Sequence, residues 1–119
     1  FQELEISVAS LPRTLFDAIY DYNRYASLPD AYTWLKKYRH DEKTIKKLIE
    51  ITKEFGNVGT KRRIGFVLSE LGVSEKVTSS LLMMLPKTSS LIPLVPNQPE
   101  RGSINRKWGI INNGANLPT

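Results

Sequence analysis

Polar and apolar residues alternate with a period of two at the start of the chain, in Glu3-Leu4-Glu5-Ile6-Ser7-Val8, which predicts a half-buried strand. The period then lengthens. Leu11, Leu15, Ala18, Ile19 and Tyr22 share one helical face, Ser10 offers a cap and Pro12 suits a first turn, so a helix is expected over about 11–22. Ser27 or Asp30 caps a second helix carrying Trp34, Leu35 and Tyr38, with Pro29 in its first turn and Lys36-Lys37 complementing its dipole.

The strongest helical pattern follows Asp41. Ile45, Leu48, Ile49, Thr52 and Phe55 line one face, the charged residues oppose them, and Gly56 closes the element. Asn57 caps a fourth helix of about 58–71, stopped by Gly72, whose core stripe is Ile64, Val67, Leu68 and Leu71; Phe66 falls outside it. Ser74 caps a fifth, with Val77, Leu81, Leu82 and Leu85 inward and Pro86 at its end. Beyond Pro86 the prolines at 93, 96 and 99 exclude helix, and Arg101-Gly102-Ser103 reads as a turn. Lys107–Asn112 is the best late strand, able to pair with Leu91–Leu94 or with the first strand. The expected fold is α+β: about five helices packed on a small mixed sheet formed by N-terminal and C-terminal strands.

A chain of 119 residues accommodates one domain, read as 1–113 with a tail over 114–119, and no repeat or low-complexity segment divides it. The apolar fraction of 40% is globular rather than disordered. The absence of cysteine excludes a thiol nucleophile and a thiolate metal site, and a single histidine, His40, leaves almost nothing for a zinc cage or a Ser-His relay. No apolar run reaches the roughly 20 residues of a membrane span, and no signal-peptide pattern opens the chain, so a cytoplasmic setting without membrane contact is expected. The opening at Phe1, directly into strand-like sequence, suggests that more protein precedes it.

The net charge of +5 is unevenly spread. Residues 1–35 carry two basic and five acidic side chains, whereas residues 36–63 carry ten basic and four acidic. Such a mid-chain field steers an anionic partner, either a phosphate backbone or an acidic protein face.

Two groups are candidate contact residues. In the fourth helix Lys61 and Arg63 lie at the borders of the stripe, while Arg62 and Phe66 are four apart on its far face. The competing reading packs Phe66 under the C-terminal segment, making the helix central and pairing the arginines with Asp17, Glu70 or backbone carbonyls. Arg62 is assigned to contact and Arg63 to structure, while Gly65 allows close approach of a neighbouring element. The second group, Lys43, Lys46, Lys47 and Lys53, with Lys36 and Lys37 upstream, forms a lysine-rich helix face suited to solvent, to phosphates or to an acidic partner. Arg13 and Asp17 form an i,i+4 pair, His40 belongs to the surface, and Tyr20, Tyr22, Tyr25, Trp34 and Tyr38 belong to core and rim rather than to a base-stacking platform. Asp17, Asp21, Asp30, Glu70 and Glu75 are scattered without an acid–base or metal pattern, so no catalytic residue, metal or cofactor is assigned and the protein is read as a non-enzyme.

Three stretches resemble, in order, the C-terminal domain of AbiEi-type antitoxins of the AbiE abortive-infection toxin–antitoxin systems. Val8-Ala9-Ser10-Leu11-Pro12-Arg13-Thr14-Leu15-Phe16-Asp17-Ala18 is similar to the family's strand leading into a Pro-Arg-x-Leu-x-Asp helix. Phe55-Gly56-Asn57 with Lys61–Gly72 resembles its Gly-Asn followed by an Arg-Arg-Leu-Gly-aromatic helix. Leu94-Val95-Pro96, Gly102, Asn105, Trp108 and Asn112 resemble its Leu-Asp-Pro, Gly and Asn-x-x-Trp close, with Val95 departing where an acid is expected. The resemblance spans roughly residues 3–113. It implies a non-catalytic antitoxin domain of a transcriptional regulator that counteracts a nucleotidyltransferase toxin, normally preceded by a DNA-binding winged helix. The alternative is an auxiliary module that contacts the phosphate backbone of nucleic acid through its basic helices.

Overall fold

The computed structural model describes residues 11–22 and 28–113. Within them five helices, α1 (Leu11–Tyr20), α2 (Leu28–Tyr38), α3 (Glu42–Phe55), α4 (Val58–Glu70) and α5 (Glu75–Leu82), precede three short strands, β1 (Ile92–Pro93), β2 (Ser103–Asn105) and β3 (Ile110–Asn112). The expected α+β class holds, with the helices packed on a small mixed sheet. The strand expected over Glu3–Val8, the caps Ser10 and Ser27, Tyr25 and the tail 114–119 lie outside the described residues.

Caps fix where the helices begin. Asp41 accepts from the Thr44 N–H at 3.3 Å, Asn57 from the Thr60 N–H at 2.8 Å and Ser74 from the Lys76 N–H at 3.2 Å, each satisfying a donor that lacks an intrahelical partner. α2 begins at Leu28, so Asp30 lies in its first turn rather than at its cap. α4 ends in a Schellman arrangement. Val73 N–H donates to the Leu68 carbonyl, Gly72 N–H to that of Ser69, and Gly72 takes the positive φ of +88° that the motif requires.

The sheet order is β1-β3-β2. β1 runs parallel to β3, with Ile92 opposite Ile110, as the late strand's predicted pairing with Leu91–Leu94 allows. β2 runs antiparallel to β3, with Ile104 opposite Ile111. Ser103, expected in a turn, therefore opens a strand; Ser103 and Ile104 are exposed and show no apolar face that would have marked it.

The core joins Leu15, Phe16 and Ile19 of α1, Tyr32 and Leu35 of α2, and Leu48 of α3 to Ile64 and Leu68 of α4 and Leu81 of α5. The C-terminal segment adds Leu94, Trp108 and Ile110. α4 is the hub, touching each of the other four helices and β3. Its buried residues, Thr60, Arg62, Ile64, Gly65, Phe66, Val67 and Leu68, run around the helix instead of forming one stripe. Phe55, expected on the core face of α3, is half exposed in its last turn.

Candidate functional site

The group centred on Lys61–Phe66 is resolved by the position of α4. Phe66 is 2% exposed and Arg62 4%, so neither projects outward and both leave the contact patch. The far face of the helix carries the C-terminal segment, and that covering inverts the single-stripe reading. The Arg62 guanidinium lies on the backbone of Gly109, where an added Cβ would sit 3.1 Å from Cζ, and its Nη1 donates to the Ser90 carbonyl at 3.4 Å. Its Nε is buried without a partner among the described residues. Arg63 donates through Nε and Nη2 to the Pro93 carbonyl, at 3.3 and 3.0 Å, and lies 5.9 Å from the centroid of the Tyr22 ring. Both arginines thus bind backbone carbonyls of the segment that leads into and forms β1. Lys61 remains half-buried.

Further contacts tie the same segment down. Trp108 packs on Gly65, where a Cβ would meet its ring at 2.1 Å, the close approach that the glycine predicts. Asn105 Oδ1 accepts from the Trp108 N–H at 3.0 Å, closing the turn between β2 and β3 and giving the Asn-x-x-Trp spacing a physical reason. Gly102 passes under the Asn112 carbonyl, 1.8 Å from where its Cβ would be. Tyr32 Oη donates to the Leu94 carbonyl at 2.8 Å, and burial pushes that phenol well above the usual tyrosine range, with the Arg63 charge opposing. Asn113 accepts from the Val95 N–H and donates to the Val95 carbonyl, both at 2.8 Å. Val95 itself is buried, so an aliphatic side chain suits this position, where the resemblance expects an acid. Tyr32 and Asn113 were not singled out from sequence, because neither belongs to a local pattern and their partners lie 62 and 18 residues away.

The lysine group is placed differently. Lys43, Lys46, Lys47 and Lys53 are all exposed on α3, opposite Ile45, Leu48 and Ile49. Lys47 meets Glu50 at 3.5 Å, and Glu42 and Glu54 share the helix surface. At the α2–α3 corner the balance is more basic: residues 36–47 hold six lysines and arginines against Asp41 and Glu42. Beside this corner a groove of about 320 Å³ opens between the start of α3 and the α4–α5 turn, lined by Arg39, His40, Glu42, Lys46, Val73 and Val77 among others.

A second groove, of about 360 Å³, lies along α1. Arg13 pairs with Asp17 at 3.1 Å, as the i,i+4 spacing predicts, and its guanidinium sits over the rings of Phe16 and Phe55, at 5.6 and 5.2 Å. Tyr20 stacks on Phe16 at 5.2 Å and is half exposed. Tyr22, Trp34 and Tyr38 pack against the core's edge, as the core-and-rim reading has them. Of the carboxylates noted in the sequence, Glu75 is exposed and joined to Lys107, a contact that holds its carboxyl below the usual range.

No protein-family model matches the chain, and no curated protein or solved structure matches it.

Proposed function

We propose that the chain is a non-catalytic interaction domain of antitoxin type, similar to the C-terminal domain of AbiEi-type antitoxins, and that it counteracts a nucleotidyltransferase toxin. One observation supports this above all. The residues of the two later resembling stretches, far apart in sequence, meet in one assembly: Arg62 and Arg63 grip the strap that leads into and forms β1, Trp108 lies on Gly65, Asn105 sets Trp108, and Gly102 passes under Asn112. Such convergence is what a shared fold would require of these motifs. In this reading the motif residues hold the scaffold, and activity resides on the surface that the scaffold displays.

A second reading has its own support in the exposure of Lys43, Lys46, Lys47 and Lys53. A protein that displays them adds phosphate-backbone affinity to a DNA-binding unit elsewhere in the chain. The test is co-expression of the full-length protein with its toxin, with growth as the readout. Deleting this domain should abolish rescue. Retained rescue on deletion overturns the antitoxin assignment, whatever nucleic-acid binding is measured.

A further inference from the structure

The α2–α3 corner differs from the rest of the lysine-bearing surface in one respect: its cations surround a concavity. Arg39 is half-buried and anchored by Nη1, which donates to the Lys36 carbonyl at 2.6 Å, so its guanidinium is positioned while its other donors have no partner among the described residues. Lys46 stands across from it on α3, His40 lies at the turn between them, and Val73 and Val77 form an apolar wall. Among the described residues Glu42 is the one carboxylate lining the groove; Asp41, just outside it, is engaged in capping Thr44. Concave low-dielectric walls focus the field of the charges on them, so the same cations attract an anion more strongly here than on the flat outer face of α3.

We infer that this groove is a phosphate-binding site for the backbone of a nucleic acid, with Arg39 and Lys46 as the phosphate contacts and His40 as a further donor. The inference deepens the phosphate-backbone reading and rests on it. Arginine presents a planar fork that fits two phosphate oxygens, and lysine supplies a point charge beside it. A polymer fits better than a small phosphate compound, because further cations lie on the two helices that meet at the groove, Lys36 in the last turn of α2 and Lys43 and the Glu50-paired Lys47 on α3. A regular polyanion can follow such a track, whereas a single phosphate group occupies only its centre.

The experiment compares charge-matched variants of the full-length protein. Lys46→Gln and Lys87→Gln each remove one positive charge, the first inside the groove and the second from an exposed position outside it. Glu42→Gln and Glu54→Gln likewise each remove one negative charge, the first inside the groove and the second from an exposed position outside it. Binding is read by fluorescence anisotropy with a labelled duplex DNA and a labelled single-stranded RNA of equal length, over a salt series, with inorganic pyrophosphate and a polyglutamate peptide as competitors. Lys46→Gln should weaken binding several-fold and lower the salt slope by about one unit, and Glu42→Gln should strengthen binding, while the outer variants change little. Equal effects of inner and outer variants would show a diffuse field and overturn the groove while leaving the backbone reading intact. Absence of binding to either oligonucleotide at low salt overturns both. Displacement by polyglutamate as effective as by nucleic acid, or binding of pyrophosphate alone, overturns the assignment to a nucleic-acid backbone.

Discussion

Trp108 packs against the backbone of Gly65, so close that a methyl group added to the glycine would sit 2.1 Å from Cζ3 and 2.4 Å from Cη2 of the indole. Glycine inside a helix normally weakens it by about 1 kcal/mol relative to alanine. Here that relation reverses, because the ring is fully buried and has nowhere to retreat. Gly65→Ala should lower the melting temperature clearly, and Trp108→Ala should cost about 3–5 kcal/mol through the cavity it leaves. Combining Gly65→Ala with Trp108→Leu should cost less than the sum of the losses of the Gly65→Ala and Trp108→Leu single variants, since the smaller side chain removes the clash. Urea unfolding of the four proteins measures this; strict additivity would mean that the two residues are not in contact.

The two adjacent arginines should behave in opposite ways. Arg62 is buried with one long hydrogen bond and an unpartnered Nε, so its charge is poorly compensated. An apolar side chain of similar length avoids that desolvation, and Arg62→Met should melt at or above the parent temperature, whereas Arg62→Ala leaves a void against Gly109 and should melt lower. Arg63 holds the Pro93 carbonyl with two donors while packing beside Tyr22. Arg63→Met loses those bonds and should lose about 1–3 kcal/mol. Thermal melts of the three variants decide the matter, and a higher melting point for Arg63→Met than for Arg62→Met would reverse the assignment.

Much of the helical part was legible because it is written locally. Asp41, Asn57 and Ser74 each stand one residue before a helix and accept from its first turn, and Gly72 supplies the conformation that ends α4. The reading failed where an element is covered on two sides. α4 has little amphipathic contrast because four helices and β3 enclose it, so Arg62 and Phe66, which a one-stripe helix would turn outward, are interior. Strand β2 escaped for the opposite reason, being short and largely exposed. The lysines of α3 were placed correctly on an outer face, yet Arg39 and His40, which help form a groove there, carry no periodic signal. Their neighbours across the gap, Val73 and Val77, come from a later turn and helix.

Asn113 offers a test of how the last strand is tied down. Its side-chain amide mimics a strand's pairing edge, accepting from the Val95 N–H and donating to the Val95 carbonyl, with the Gln98 and Pro99 carbonyls also close, at 3.4 and 3.3 Å. Asn113→Ala leaves the buried Val95 groups unpaired and should cost about 2–4 kcal/mol, taking two unsatisfied groups at about 1–2 kcal/mol each. Asn113→Asp keeps the acceptor but replaces the donor with a carboxylate facing three carbonyl oxygens. Those oxygens disfavour the charged form and raise the carboxyl's pKa on folding. Stability of this variant should therefore rise as pH falls toward the range in which the carboxyl is protonated, opposite in sign to the usual acid destabilisation. Chemical denaturation of Asn113→Asp at two pH values reads that slope, and a variant insensitive to pH would show that the side chain does not face the carbonyls.

Tyr32 links pH to stability at the alkaline end. Its hydroxyl is buried and bonded to the Leu94 carbonyl, and burial raises its pKa above the ordinary value of 10.0, outweighing the lowering by Arg63. A proton held more tightly in the folded state than in the unfolded one contributes stability that is complete below the unfolded pKa, near 10, and is lost as pH climbs toward the folded value. Each pH unit within that window removes up to about 1.4 kcal/mol for one such proton. Tyr32→Phe abolishes the titration and also leaves the Leu94 carbonyl unpaired, a cost of about 1–3 kcal/mol near neutrality. The variant should thus be the less stable protein at pH 7, and the gap to the parent should narrow steadily above pH 10. Lysine titration acts on both proteins and cancels in the difference. Denaturant midpoints measured side by side across this range provide the check; a gap that stays constant above pH 10 would place the phenol in water rather than against Leu94.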